Sequence, residues 1–303
     1  MRTLARRLRE RRDALLFKLR SRPRAWRAEV PVERPNTLFS RRAVRELHPN
    51  VQRLAWRDPQ LLHRLSDTRI EGVRAWEYGV LIGCLTREPE HETWRCLDVG
   101  SGASTFPSYL LEQGWVGTMT TLDLEDPFER PGEGPPPSER VERVAASMLD
   151  IPFPEGSFDL VTCISAIEHL DGDRRDPTPA PNDRYRSDTR RAVEEMMRVV
   201  RPGGHLYLTT DAYMPDRQTT DRWSSPDGKS PIWSAYHYED IESLFVRTLE
   251  DGGFELTGGH DFDGLHLVDD PDRSTYRGRF FTTFALFARR PVRAAAERAV
   301  RAG

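Results

Sequence analysis

The chain has 303 residues, of which 37% are hydrophobic and 31% charged, and its formal net charge is −3. This composition is typical of a globular protein with enough chain for one large core or two small ones. The small net charge gives no indication of a nucleic-acid partner, and no apolar run approaches the length that spans a membrane. The three cysteines are far apart in apolar contexts, which excludes a disulfide framework, so we expect a cytoplasmic protein.

The first 35 residues are rich in arginine. Leucines recur among the arginines of residues 3–20, which predicts an amphipathic helix. Such a helix is either an arm that binds a membrane surface or a partner, or a solvated helix without that role. Pro23, Pro31 and Pro35 indicate a linker after it.

Residues 36–90 are predicted to form a helical cap, and strands and helices alternate from Trp94 onward. The alternation predicts a domain over residues 91–290 with a mainly parallel sheet covered by helices on both faces, followed by a tail over 291–303. Strands are expected near residues 94–99, 117–123, 142–146, 159–164, 204–210, 254–259 and 279–288, and helices near 104–113, 187–200 and 238–252.

Two long segments, residues 171–188 and 211–234, interrupt this alternation. Loops of this length in a compact domain are usually lids or disordered surface. Arg184, Tyr185 and Arg186 in the first and Tyr213 and Trp223 in the second would suit a lid over a polar, anionic or glycosylated acceptor.

The sequence from Cys96 to Ser104 is an apolar strand, a glycine-rich turn and the start of a helix. Gly100 and Gly102 allow a tight turn that a ligand can approach closely. Thr105 stands where a dinucleotide-binding turn has its third glycine, and Asp98 would repel a pyrophosphate. A ligand with an ammonium group fits this turn better.

Asp123 ends the second predicted strand, 21 residues beyond Gly102. A carboxylate at this place can accept both hydroxyls of a ribose, and the spacing favours this role over capping of the following loop.

Two further blocks make a family resemblance specific. They are Ser147-Met148 followed by Ile151-Pro-Phe153 and Phe158-Asp159, and then the turn from Arg201 to Leu208. With the glycine turn and Asp123, they resemble the motifs of class I S-adenosylmethionine-dependent methyltransferases, in the same order, over residues 94–210. The segments 251–256 and 280–286 resemble the closing antiparallel strands of the same family and extend the resemblance to residue 290. The resemblance implies a Rossmann-like α/β fold with a seven-stranded, mostly parallel sheet, and S-adenosylmethionine as the cofactor.

The resemblance also implies where the cofactor binds. Asp98 and the glycine turn would surround the methionine moiety, Asp123 would hold the ribose, and Ser147 and Met148 would flank the adenine. The full predicted set is Asp98, Gly100, Ser101, Gly102, Asp123, Leu124, Ser147, Met148 and Ser165.

Three residues are candidates for proton removal from an acceptor. His169, just after the fourth predicted strand of the domain, is the first, because an unperturbed imidazole titrates near neutral pH. Glu168 either orients that imidazole or faces solvent, and His237 is expected to open a helix after the second lid segment. The group His260, Asp261, Asp263 and His266 is interpreted as solvated surface, so no metal is predicted.

Trp76, Glu77 and Tyr78 either close over the cofactor or belong to the core face of a helix. The predicted function is methyl transfer to a hydroxyl or amine of a small-molecule or sugar acceptor. The alternatives are RNA methylation with the basic arm on phosphates, a non-catalytic cofactor-binding protein, and a nicotinamide-dependent reductase.

Overall fold

The computed structural model describes residues 29–39, 43, 46–47, 49–51, 73–126, 138–171, 183–213, 236–237, 240–262, 274–276 and 279–292. These residues form a mixed α/β fold around one sheet. The amphipathic helix predicted over residues 3–20 lies outside the described residues.

The sheet is mostly parallel in its central part. In chain order its strands are β1 (Asn36–Leu38), β2 (Arg95–Val99), β3 (Thr118–Asp123), β4 (Glu142–Ala145), β5 (Phe158–Ile164), β6 (Val200–Tyr213), β7 (Tyr236–His237), β8 (Glu255–Leu256), β9 (His260–Asp261), β10 (Ser274–Tyr276) and β11 (Arg279–Arg289). The spatial order is β4-β3-β2-β5-β6-β11-β1-β9. The pairs from β4 to β6 are parallel, whereas β11 runs antiparallel to β6.

The helices cover the two faces of the sheet. They are α1 (Val73–Leu85), α2 (Phe106–Glu112), α3 (Asp183–Val199) and a π-helical segment (Ile241–Val246) that continues into α4 (Arg247–Asp251). Side chains alternate along each strand, so that Leu97 and Val161 pack in the cluster under α3 and α4 while Cys96 and Leu160 pack in the cluster under α1 and α2. The central strands thus contribute side chains to two cores, one on each face of the sheet.

The predicted alternation of strands and helices is confirmed. Strands β2 to β6 and β11 overlap the predicted ranges, and α3 begins at Asp183, four residues before the predicted start. The earlier start is favoured because Tyr185 and Thr189 are buried and supply the first turns with core contacts.

The expectation that the helical cap begins at residue 36 is wrong, because Asn36–Leu38 form a strand beside β11. The Asn36 side chain explains this place in the sheet. Its amide donates to the carbonyls of Thr257 and Gly259 at 2.8 and 2.7 Å, and its carbonyl accepts the Phe287 amide at 2.6 Å. These bonds link partners more than 220 residues away in the chain, so a local sequence pattern did not reveal them.

No helix within the described ranges is long and apolar enough to cross a membrane.

Candidate active site

The candidate site lies at the carboxyl edge of the sheet, between β2 and β5. These two strands are parallel neighbours, yet the chain leaves β2 toward β3 on one side and leaves β5 toward β6 on the other. Such a switch point opens a crevice outside the strand ends, where ligands bind in open α/β sheets. The loops that follow β2, β3, β4, β5 and β6 all begin at this edge.

The glycine turn after β2 has the backbone conformation that its sequence predicts. Gly100 and Gly102 have φ angles of +70° and +50°, a region that favours glycine. A Cβ atom on Gly100 would lie 2.5 Å from the Ala166 Cβ, whereas one on Gly102 would meet nothing within 4 Å. The turn is therefore closely packed at Gly100 and open to a ligand at Gly102.

Asp123 joins the turn to the end of β3. Its Oδ2 accepts the Gly102 amide and its Oδ1 accepts the Leu124 amide, each at 2.8 Å. Because the carboxylate lies beside the open glycine and keeps further lone pairs, it is able to accept hydroxyl groups from a ligand in the turn.

Asp98 is the residue before the last one of β2, and it is buried, with an exposure of 6%. Its Oδ1 accepts the Thr162 hydroxyl at 2.6 Å. Burial raises the pKa of Asp98 to about 7, although the hydrogen bond from Thr162 acts in the opposite direction. A cationic group nearby would favour its ionised form.

The other predicted cofactor residues lie around the same turn. The Ser101 carbonyl accepts the Ser104 amide at 3.1 Å, and the methyl group of Met148 comes close to Gly100. Leu124 is 67% exposed beside Asp123, which is unusual for a large apolar side chain. The Ser147 hydroxyl accepts the Leu149 amide at 3.1 Å and so shapes the turn after β4.

Helix α1 contacts this edge through two of its three singled-out residues. The Tyr78 ring stacks on Phe106 at 3.8 Å, and its hydroxyl lies 3.5 Å from the Ser104 hydroxyl. Glu77 is fully buried, and its carboxylate accepts from the Ser165 and Thr209 hydroxyls. Trp76 is also fully buried, but its ring packs edge-on against Phe39 in the core.

The turn after β5 brings the candidate proton acceptors to the crevice. Glu168 is 2% exposed and its Oε2 accepts the Thr210 hydroxyl at 2.7 Å, which excludes the second of its two alternatives, a side chain that faces solvent. Burial raises its pKa to about 7. The neighbouring His169 is exposed, and its amide donates to the Ala166 carbonyl at 2.9 Å.

Two charged residues near the site were missed in the sequence. Asp211 is half-buried at the end of β6, and burial together with the nearby Glu168 raises its pKa to about 8. Arg74 donates to the Glu77 Oε2 at 2.9 Å. An acidic residue at the end of a predicted strand was the signal that identified Asp123, and the same signal was available for Asp211.

The expectation that Tyr185 and Arg186 belong to a lid is wrong, since both lie in α3. Tyr185 is buried and stacks on Tyr236 at 5.2 Å, because an aromatic ring on the inner face of a helix gains more from the core than from solvent. Arg186 pairs with Asp240 at 2.8 Å.

Several predicted residues have only a backbone position or none. His237 ends the short strand β7 and does not open a helix, because its backbone pairs with β6. Tyr213 is the last residue of β6, and Arg184 lies in the first turn of α3. Trp223, Asp263 and His266 lie outside the described residues. In the part of the chain that the structure describes, no three His, Cys, Asp or Glu side chains gather as a metal site.

A family model described as a methyltransferase domain matches residues 97–208. An uncharacterised methyltransferase of Bacillus subtilis is 29% identical over 152 residues, which is 48% of this chain and 51% of the relative. The 2-methyl-6-phytyl-1,4-hydroquinone methyltransferase of Synechocystis is 27% identical over 161 residues, which is 52% of this chain and 45% of the relative. The chain thus spans about half the length of the curated relatives it matches.

Solved structures of methyltransferases are similar to this chain at lower sequence identity. A Methanosarcina mazei S-adenosylmethionine-dependent methyltransferase is 18% identical with a TM-score of 0.44, and the match covers 67% of this chain and 94% of that one. A Bacillus halodurans methyltransferase structure is 20% identical with a TM-score of 0.41, covering 68% and 97%. The match to a methyltransferase domain thus runs from β2 into β6 and includes the glycine turn and Asp123.

Proposed function

We propose that this chain transfers the methyl group of S-adenosylmethionine to a hydroxyl or amine of a small-molecule or sugar acceptor. The observation that carries the proposal is the glycine turn, which is open at Gly102 and flanked by the carboxyl groups of Asp98 and Asp123. When bound, the cofactor supplies a methyl group that its sulfonium makes electrophilic.

The residues at the edge fit each part of this cofactor. Asp98 is placed to receive the ammonium group, and Asp123 retains lone pairs for ribose hydroxyls after accepting the Gly102 amide. The exposed Leu124 offers an apolar surface to the adenine, with Ser147 and Met148 on the next loop. Two carboxylates at one turn also disfavour a pyrophosphate, which supports this ligand over a dinucleotide.

The acceptor must lose a proton when its hydroxyl or amine is methylated, and the turn after β5 carries groups able to take it. His169 is exposed and therefore accessible to an acceptor, whereas Glu168 is buried with a pKa raised to about 7. We assign the proton to His169, because it is the exposed one of the two groups.

A cavity lined mainly by arginines of α3 would suit an anionic group on the acceptor. Its volume is about 550 Å³, and its charged lining is Arg186, Arg190, Arg191 and one carboxylate, Glu194. From the residue before Arg186, a stack of Tyr185 on Tyr236 leads to the turn after β5, where Tyr236 donates to the Ile167 carbonyl. The Synechocystis relative is named for a hydroquinone, which also supports a small-molecule acceptor.

Titration calorimetry with S-adenosylhomocysteine tests the cofactor assignment. The chain is expected to bind this product analogue and to give no heat with NADH. Asp123→Ala is expected to weaken binding by about tenfold or more, because a charged hydrogen-bond acceptor for the ribose is lost. Asp251→Ala, which removes an exposed acidic residue at the end of α4, controls for net charge and should bind as the original chain does.

Absence of binding to the original chain, or unchanged binding to Asp123→Ala, would contradict the proposal.

Turnover is measured as methyl transfer to pairs of hydroxyl and amine compounds that differ by one carboxylate or phosphate group. His169→Ala is expected to lower kcat by at least about a hundredfold with S-adenosylhomocysteine affinity retained. An unchanged kcat would exclude His169 as the base.

A further inference from the structure

We propose that Glu77 is a positioning residue that shapes the glycine turn from outside, through Ser165 and Ala166. The inference rests on the proposed function, since the affected property is binding of the cofactor. Glu77 does not belong to the turn and comes from α1, outside the matched methyltransferase domain.

Glu77 is the point at which α1 is joined to the ends of two strands. Its Oε1 accepts the Ser165 hydroxyl at 2.5 Å and the Thr209 hydroxyl at 2.7 Å, and its Oε2 accepts from Arg74 at 2.9 Å. Its backbone carbonyl accepts the Tyr207 hydroxyl at 2.7 Å. A fully buried carboxylate with this many donors is held in one orientation, because releasing any donor would leave a buried polar group unpaired.

Ser165 is the residue on which this orientation acts. Its φ angle is +43°, in the left-handed region that a serine adopts only at a cost of about 1 to 2 kcal/mol. Its amide donates to the Thr209 carbonyl at 2.9 Å, and its hydroxyl is held by Glu77. The bond to Glu77 therefore fixes both the side chain and the unusual backbone of this residue.

The backbone at Ser165 places Ala166 against the glycine turn. A Cβ atom added to Gly100 would be only 2.5 Å from the Ala166 Cβ, so Ala166 is in close contact with the backbone of Gly100. A change at Ser165 moves Ala166 and with it the wall against which Gly100 packs. Glu77 thus acts on the glycine turn through Ser165 and Ala166. None of its hydrogen bonds within the described residues goes to the turn itself.

The helix itself gives Glu77 a fixed origin. Tyr78, the next residue, stacks on Phe106 at 3.8 Å, so α1 is held against α2 at the start of that helix. Adjacent residues of α1 therefore contact both turns, Tyr78 near Ser104 in the turn after β2 and Glu77 at Ser165 in the turn after β5. This is the physical reason that a residue outside the turn can govern its shape.

The test compares variants of the full chain by calorimetry with S-adenosylhomocysteine. Glu77→Gln keeps an oxygen that accepts from Ser165 and Thr209 and is expected to bind within about threefold of the original chain. Glu77→Leu keeps the volume without the acceptor and is expected to bind about tenfold more weakly. A role in charge balance alone would make the two variants equal, and a role in packing alone would leave Glu77→Leu unaffected; either result overturns the proposal.

A double-mutant cycle tests the path through Ser165. Because glycine adopts the left-handed conformation without strain, Glu77→Leu is expected to weaken binding by less than about threefold in a Ser165→Gly background. Equal losses in both backgrounds would exclude Ser165 as the intermediary. If Glu77→Leu does not fold, Ser165→Ala removes the same hydrogen bond from the other side and should weaken binding by about tenfold; unchanged binding would refute the proposal.

Asn50→Ala is the matched control. Asn50 is another buried polar residue that anchors α1. Its side-chain amide donates to the Gly79 carbonyl at 2.9 Å, and its other side-chain hydrogen bonds go to Val30 and not to Ser165. It should lower the melting temperature without changing the affinity for S-adenosylhomocysteine. If the original chain binds no S-adenosylhomocysteine, the proposed function fails; if it binds and all Glu77 variants bind equally, this inference alone fails.

Discussion

Asp98 combines burial with a position at the mouth of the crevice. Its pKa of about 7 means that it is close to half-ionised at neutral pH, and the first cause is the loss of water around the carboxyl group. An ammonium group placed beside it would compensate this loss. Ionisation of this buried carboxyl group is therefore expected to cost free energy without a ligand and to be favourable when the ammonium group is bound.

We predict that binding of S-adenosylhomocysteine strengthens as pH rises from 5.5 to 7.5. A raised pKa means that Asp98 is protonated at the lower pH and mainly ionised at the higher, and only the ionised form attracts the ligand's ammonium group. The gain should be on the order of tenfold. Calorimetry across this range measures it, and Asp98→Asn should bind more weakly with little dependence on pH.

At the scale of single elements, the glycine turn shows how two glycines with similar backbone angles have different tasks. Gly100 has no room for a side chain because Ala166 lies against it, whereas Gly102 faces open space. The first is required by packing between loops, and the second by the approach of a ligand.

Substitution separates these tasks. Gly100→Ala should lower the melting temperature clearly, because a Cβ 2.5 Å from the Ala166 Cβ forces the two loops apart. Gly102→Ala should lower the free energy of unfolding by only about 1 to 2 kcal/mol, because alanine is strained at a positive φ angle. It should nevertheless weaken the binding of S-adenosylhomocysteine by about tenfold or more, because the new methyl group occupies space that the ligand needs.

Gly114→Ala is the control for backbone strain. Gly114 also has a positive φ angle, +75°, and free space around its missing Cβ, but it follows α2 at the end remote from the turn. It should lose a similar amount of stability with unchanged affinity. Equal affinity of the Gly102 and Gly114 variants, measured by calorimetry, would remove Gly102 from the ligand contact surface.

At the scale of the whole molecule, the dependence of stability on pH includes a buried histidine away from the site. His205 in β6 is 1% exposed and stacks between Trp94 at 5.2 Å and Phe287 at 4.9 Å. Burial lowers its pKa to about 4 from the usual 6.5, so the folded chain holds it neutral. As pH falls below 6.5, His205 binds a proton in the unfolded chain but not in the folded chain. The free energy of unfolding therefore decreases until pH reaches about 4, where the folded chain also binds the proton.

We predict that His205→Phe removes this loss. Between pH 7 and pH 4.5 the free energy of unfolding should fall by about 2 kcal/mol less in His205→Phe than in the original chain, as measured by urea unfolding. Asp98 and Glu168 act in the opposite direction, because their raised pKa values favour the protonated folded state, but they are present in both chains and cancel in the difference. Parallel pH profiles of the two chains would show that His205 does not titrate in this way.

The sequence by itself determined the central domain. The alternation of strands and helices, the glycine turn and the strand-ending Asp123 are local patterns, and each depends on residues within one short segment. For this reason the succession of strands β2 to β6 along the chain and the position of the glycine turn followed from the sequence alone.

Only the tertiary structure decided the contacts between distant segments. The strand at Asn36 depends on partners more than 220 residues away, and Glu77 reaches Ser165 across 88 positions. The sequence predicts Tyr185 as a lid residue because an arginine lies on either side of it. In the structure it is buried, because its ring stacks on Tyr236. Patterns along the chain report which residues share an element, whereas hydrogen bonds and burial depend on which elements meet, and that is settled by packing.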